Sequence, residues 1–178
     1  MEVRGLARLR AAYYALRYRR FATFGDGVRV RGRLELRGPG RIEIGDHVTF
    51  DRFGGGNRIW VAEGGSVTIG AHCYVNGIDA YANEPVTIGE YCLIGSCHVM
   101  TSDFHAVARN RREPGAPIRT GPVRVGRNVW LADQTTLLRG VTIGDDSVVA
   151  LGTVVTGDVP AGVVVAGQRM RVVRTLDR

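Results

Sequence analysis

From Val125 onward the chain puts an apolar or small residue at every sixth position: Val125, Leu131, Leu137, Ile143, Val149, Val155 and Ala161. Four residues after each comes a second small or β-branched residue: Val129, Thr135, Val141, Ser147, Thr153, Val159 and Val165. Two constrained positions in six, held over seven repeats, mark a short-period repeat rather than an amphipathic helix or an ordinary β-sandwich, which has no reason to keep a six-residue register. A longer ruler comes from the pattern Val/Ile-x-Val/Ile-Gly, which ends at Gly45, Gly70, Gly89, Gly126 and Gly144. Its separations of 25, 19, 37 and 18 residues make one coil about three hexads long, with the excess pushed out as loops at Asp51 to Arg58 and Ala106 to Gly121.

Each hexad reads as a short strand and a tight bend. In Val141-Thr142-Ile143 the flanking residues point inward and Thr142 outward, because side chains alternate along a strand, and Gly144-Asp145-Asp146 turns the corner. Three flat faces per coil build a triangular prism whose strands stack about 4.8 Å apart. The expected fold is therefore an all-β solenoid with a protruding loop. Residues 5–22 differ, since Leu6, Leu9, Tyr13 and Leu16 recur at helical spacing among Arg8, Arg10, Arg17, Arg19 and Arg20. This basic amphipathic helix has two readings, a lid packed on the first coil or a contact with an anionic membrane surface. The expected organisation is a helical segment over 1–25, a solenoid over 26–166 with its loop at 106–122, and a basic tail over 167–178. Outward Val, Thr and Trp130 leave apolar surface for burial between like subunits, so a homotrimer is expected.

Composition narrows the chemistry. All 24 basic residues are Arg, which excludes Schiff-base and P-loop lysine mechanisms, and the formal charge of +7 points to an anionic partner. Cys73, Cys92 and Cys97 are odd in number and lack CxxC spacing, so a cytoplasmic setting without a disulfide framework or zinc ribbon is expected. Met1 to Arg20 contains no uninterrupted apolar h-region.

Among the histidines, His47 and His72 fall at bends, and His98, four after Ile94, takes an inward companion position. Continuing the register from Ile88 through Ile94, Met100 and Ala106 makes His105 the outward residue of a strand on the face of Thr87, Arg124 and Thr142, just before the long loop. That placement suits a general base, with Asp103 two residues earlier able to orient the ring.

Several stretches carry a family resemblance: Thr101-Ser102-Asp103-Phe104-His105, Val125 to Leu131, Gly140 to Val149, Val154 to Pro160, and Ala166-Gly167. Val67 to Arg174 resembles the hexapeptide-repeat acyltransferases, in the branch of maltose, galactoside and colanic-acid O-acetyltransferases. The resemblance implies a left-handed parallel β-helix and transfer of acetyl from acetyl-CoA to a carbohydrate acceptor, with no metal. It implies that His105 is the catalytic base, that Asn76 and Trp130 contact the acceptor together with Asp103, and that Thr156, Arg171 and Arg174 lie beside coenzyme A. Leu151, where the family often has a smaller residue, narrows the pantetheine channel, and Gly157 replaces a frequent lysine. The Arg-rich helix stands where the maltose branch has acceptor-binding helices, which shifts the expected acceptor toward a surface glycan or glycolipid precursor, and peripheral membrane contact through residues 5–22 at the inner face is the alternative to the lid. Direct transfer is expected, since no Ser or Cys sits in an activated arrangement. The rivals are a γ-type carbonic anhydrase, which needs three metal-binding histidines, and a non-catalytic or nucleic-acid-binding scaffold, disfavoured because arginines cluster at the ends and in the loop.

Overall fold

The computed structural model describes residues 4–51, 55–168 and 170–175. After a helix over Arg4–Tyr18, nearly all regular structure is short strand, arranged as three parallel sheets. The first face stacks Ala22–Phe24, Arg41–Ile44, Ser66–Ile69, Val86–Ile88, Val123–Val125 and Thr142–Ile143. The second runs through Arg29–Val30, Thr49–Phe50, Tyr74–Val75, Leu93–Ile94, Trp130–Leu131 and Val148–Val149 to Val163–Ala166, and an antiparallel strand, Arg171–Thr175, closes it. The third holds Leu34–Arg37, Asn57–Val61, Ile78–Ala82, Cys97–Met100, Thr135–Leu137 and Val154–Val155.

The hexad ladder is the inside of this prism. Leu131, Leu137, Ile143, Val149 and Val155 are at most 1% exposed, as are the companions Val129, Thr135, Val141, Ser147 and Thr153. The ladder fails at Ala161, which follows Pro160 and is exposed, and Val163 and Val165 take over. The glycine ruler has a steric cause. At the corner after the first face successive coils approach so closely that a Cβ on Gly45 would lie 2.7 Å from the amide nitrogen of Ala71, and one on Gly70 2.7 Å from that of Glu90.

The structure corrects the register around His98. Ile94 is followed inward by Cys97 after three residues, whereas Leu131 in the next coil is followed by Thr135 after four. The shorter corner shifts every later residue by one, so Cys97 and Val99 fill the core while His98 points out, its Nδ1 3.8 Å from Asp79 Oδ2. Met100 is only half-buried, and His105 is not on a strand of the first face, because the chain leaves the prism after Met100 and returns at Val123. Thr87 pairs directly with Arg124.

The helix also differs in its packed side. It ends at Tyr18 and buries Ala7 and Ala11 on the first coil, with Tyr14 and Tyr18 packed partly against the core. Leu6, Leu9, Tyr13 and Leu16, the apolar stripe, are 43 to 69% exposed. Small alanines let the helix come close, and the Tyr18 hydroxyl donates to the Leu34 carbonyl at 3.5 Å. His47 and His72 sit at corners in the left-handed region (φ 58° and 61°), with their rings 5.0 Å apart.

Candidate functional site

His105 owes its position to a clasp at the base of the loop. Ser102 bridges antiparallel to Thr120, the Asp103 amide donates to the Arg119 carbonyl at 3.0 Å, and the Gly121 amide donates to the Thr101 carbonyl at 2.9 Å. Thr101 is fully buried, and its hydroxyl oxygen accepts from the amides of Asn83 (2.7 Å) and Glu84 (3.1 Å), pinning the loop to the coil below. Beyond the clasp Phe104 adopts φ 58°, and the His105 amide donates to the Asp103 carbonyl at 2.7 Å. The His105 side chain is exposed at the corner between the third and first faces, and among the described residues its imidazole has no hydrogen-bond or ion-pair partner.

Asp103 does not turn toward that ring. Its carboxylate accepts from Arg139 Nε at 2.7 Å and from Arg119 Nε at 2.8 Å. The Arg139 guanidinium foremost, with Arg119 beside it, holds the carboxyl below the usual carboxylate range, so it remains an anion that ties the loop to the prism. Neither arginine was singled out by the sequence, because nothing in the hexad pattern marks a charge partner 16 or 36 residues away.

A second set of candidates gathers elsewhere. Along the second face the outward residues Tyr74, Leu93, Trp130 and Val148 lie in register on successive coils. With Asn76 and Leu151 at the following corner they wall an open groove of about 800 Å³. Trp130 is 50% exposed and Leu151 68%. Asp133 on its rim accepts from the Ser96 amide at 2.8 Å, which fixes the corner. Exposed Arg171 pairs with Ala166 at the end of this face, and Arg174 pairs through its backbone with Val164, a groove residue; the Arg174 side chain is outside the described set.

Thus Asn76, Trp130 and Leu151 come together, while Asp103 and His105 occupy the opposite corner. Exposed Thr156 follows the third face and shares that corner with the loop. The cysteines offer no nucleophile. All three are buried, and burial first, with Asp79 adding, pushes the Cys97 thiol up to about 12. Among the described residues no group of three His, Cys, Asp or Glu is placed to hold a metal ion, and His98 and His105 lie on different parts of the surface.

No family model matches the chain. It is 33% identical over 120 residues to the galactoside O-acetyltransferase of Escherichia coli, an alignment covering 67% of this chain and 59% of that one. A hexapeptide-repeat acetyltransferase of Vibrio cholerae superposes with a TM-score of 0.65 at 25% identity, covering 98% of this chain and 89% of the other. The chain is similar to the hexapeptide-repeat acyltransferase family over most of its length, and it spans about three fifths of the galactoside O-acetyltransferase. Its prism is the left-handed parallel β-helix of that family. An Escherichia coli protein provisionally named a lipopolysaccharide biosynthesis O-acetyltransferase is 28% identical over 154 residues, 82% of this chain and 77% of that one. The Vibrio protein has also been solved with acetyl coenzyme A.

Proposed function

We propose that the protein transfers acetyl from acetyl-CoA to a hydroxyl of a surface glycan or glycolipid precursor, at a site shared between two subunits of a homotrimer. The observation that carries this reading is the split of the candidates: an exposed, clasped His105 at one corner and an apolar groove with Trp130, Asn76 and Leu151 at another. A neighbour's His105 corner laid against the groove completes a site, which is the heterologous contact that closes a ring.

His105 takes the proton of the acceptor hydroxyl as its oxygen attacks the acetyl carbonyl, and the imidazolium returns that proton to the departing coenzyme A sulfur. Trp130 and Asn76 hold the acceptor, and Leu151 and Thr156, from facing subunits, flank the pantetheine. The test is mass spectrometry after incubation with acetyl-CoA and a panel of glycans. A gain of one acetyl group on a sugar is expected, and a panel left unmodified by protein that binds coenzyme A overturns the acceptor assignment.

Arg171 and Arg174 supply attraction for the coenzyme A phosphates. Replacing both by Ala is expected to weaken coenzyme A binding roughly tenfold at low salt, with a narrower gap at high salt, because exposed charge pairs are screened. Calorimetric titration at two ionic strengths checks this, and equal affinities remove the pair from the site.

The exposed stripe of the helix fits a membrane surface. Leu6, Leu9, Tyr13 and Leu16 are flanked by exposed Arg8, Arg10, Arg17, Arg19 and Arg20, and no acidic residue lies between Arg4 and Arg20. Like charge opposes pairing of two such helices and favours anionic lipid. The protein is expected to cosediment with phosphatidylglycerol vesicles and not with phosphatidylcholine ones, and the double change Leu9→Asp, Leu16→Asp should cut binding by about tenfold or more. Equal binding to both vesicle types excludes the contact.

A further inference from the structure

The third face carries a feature that neither the hexad pattern nor the groove explains. In the first half of the chain its strands are longer, Asn57–Val61 and Ile78–Ala82, so each presents two outward side chains: Arg58 and Trp60, then Asp79 and Tyr81. Ile59 and Ala80 fill the core between them, leaving the two aromatics no packing role inside. Trp60 is 38% exposed and Tyr81 36%, with ring centroids 6.5 Å apart. The row continues across the loop, where the Phe104 ring meets Tyr81 edge-on at 5.8 Å and 84° and is itself 41% exposed. Phe104 is the residue before His105.

Beside this row runs a band of charge. Arg58 pairs with Asp79, and Arg33 and Arg37 both pair with Glu35. Together with Trp60 and Tyr81 these residues line a concavity of about 330 Å³. Flat aromatic faces beside fixed guanidinium and carboxylate groups have the chemistry that recognises sugars. The C–H face of a pyranose, slightly positive, lies on the negative face of an aromatic ring, while its hydroxyls meet planar donors and acceptors that are already oriented. A second copy of the chain would instead call for a larger patch with an apolar centre, and a nucleic acid would find the guanidinium groups of the band already paired with Glu35 and Asp79.

We propose that Trp60, Tyr81 and Phe104 form a carbohydrate platform that binds the sugars of an acceptor oligosaccharide adjoining the one acetylated at His105. This rests on the acetyltransfer reading above and adds to it an extended acceptor, recognised over several residues by the same subunit that supplies the base.

The test titrates wild type, Trp60→Ala and Tyr81→Ala with galacto-oligosaccharides, maltohexaose and O-polysaccharide released from lipopolysaccharide, each with a parallel titration of coenzyme A. Wild type is expected to bind at least one of these saccharides more tightly as the chain lengthens. Each substitution should weaken the longer ligand by about tenfold, the loss of one aromatic contact, while coenzyme A affinity and circular dichroism stay unchanged. Saccharide binding identical in wild type and both variants overturns the platform, as does protein that binds coenzyme A and none of the saccharides. If coenzyme A fails to bind while saccharide binding still depends on Trp60, the acetyltransfer reading falls and the platform stands.

Discussion

His105→Ala is expected to lower turnover by about 100-fold or more with coenzyme A affinity unchanged, the size of effect that follows loss of a general base. The expectation rests on the clasp formed by Ser102 with Thr120 and by Asp103 with Arg119 and Arg139, which presents the imidazole to solvent on a braced loop. His98 is the natural control. Its ring also faces outward, but over Asp79 on the third face, so His98→Ala should change turnover on a single-sugar acceptor by no more than about twofold. Steady-state rates with a saturating acceptor, beside a coenzyme A titration, decide it. Loss of turnover on changing His98 but not His105 would place the base elsewhere.

Mixing two inactive variants should restore activity. Within one subunit Trp130 points out of the second face, while His105 sits at the corner of the third and first, so the two cannot meet one acceptor. If a neighbour supplies the histidine, His105→Ala and Trp130→Ala subunits, unfolded together and reassembled, make some interfaces in which both residues are wild type. Random trimers place both at about a quarter of interfaces, so activity should rise to about that share of wild type from a parental level of a few per cent at most. Mixed trimers identified by native mass spectrometry but as inactive as either parent, with both parents folded, would rule out the shared site.

How well the sequence could be read depended on how regular the coil was. Between Val125 and Val155 every coil has three short strands and equal corners, and the residues at hexad positions are the buried ones. Before that the spacing varies. The corner from Val75 to Ile78, like that from Ile94 to Cys97, is three residues long, and the third-face strands Asn57–Val61 and Ile78–Ala82 hold an extra inward position. A six-residue count carried across such a corner exchanges inside for outside, and so sets His98 and Met100 on the wrong side of the sheet. His105 was still singled out, because it stands in a matched stretch beside the loop, although the strand expected to carry it does not form.

The sequence by itself determined the solenoid, since a repeating pair of inward positions leaves the chain little choice but to bury them in stacked coils, and glycines recur where adjacent backbones touch. It also supplied the candidate residues for both halves of the proposed site. Only the tertiary structure decided which of them meet. Asn76, Trp130 and Leu151 are scattered over 76 positions, yet stacking brings them to one groove, whereas Asp103, close to His105 in sequence, spends its charge on Arg119 and Arg139. The helix makes the same point. Its apolar stripe was plain from the spacing, but the face that packs is the one whose alanines permit close approach and whose tyrosines reach the first coil, so the leucines are left outside. A repeat constrains what lies inside because burial recurs with every coil. Which outward residues become neighbours depends on corner lengths and on what docks at the ends, and those are settled by packing between coils.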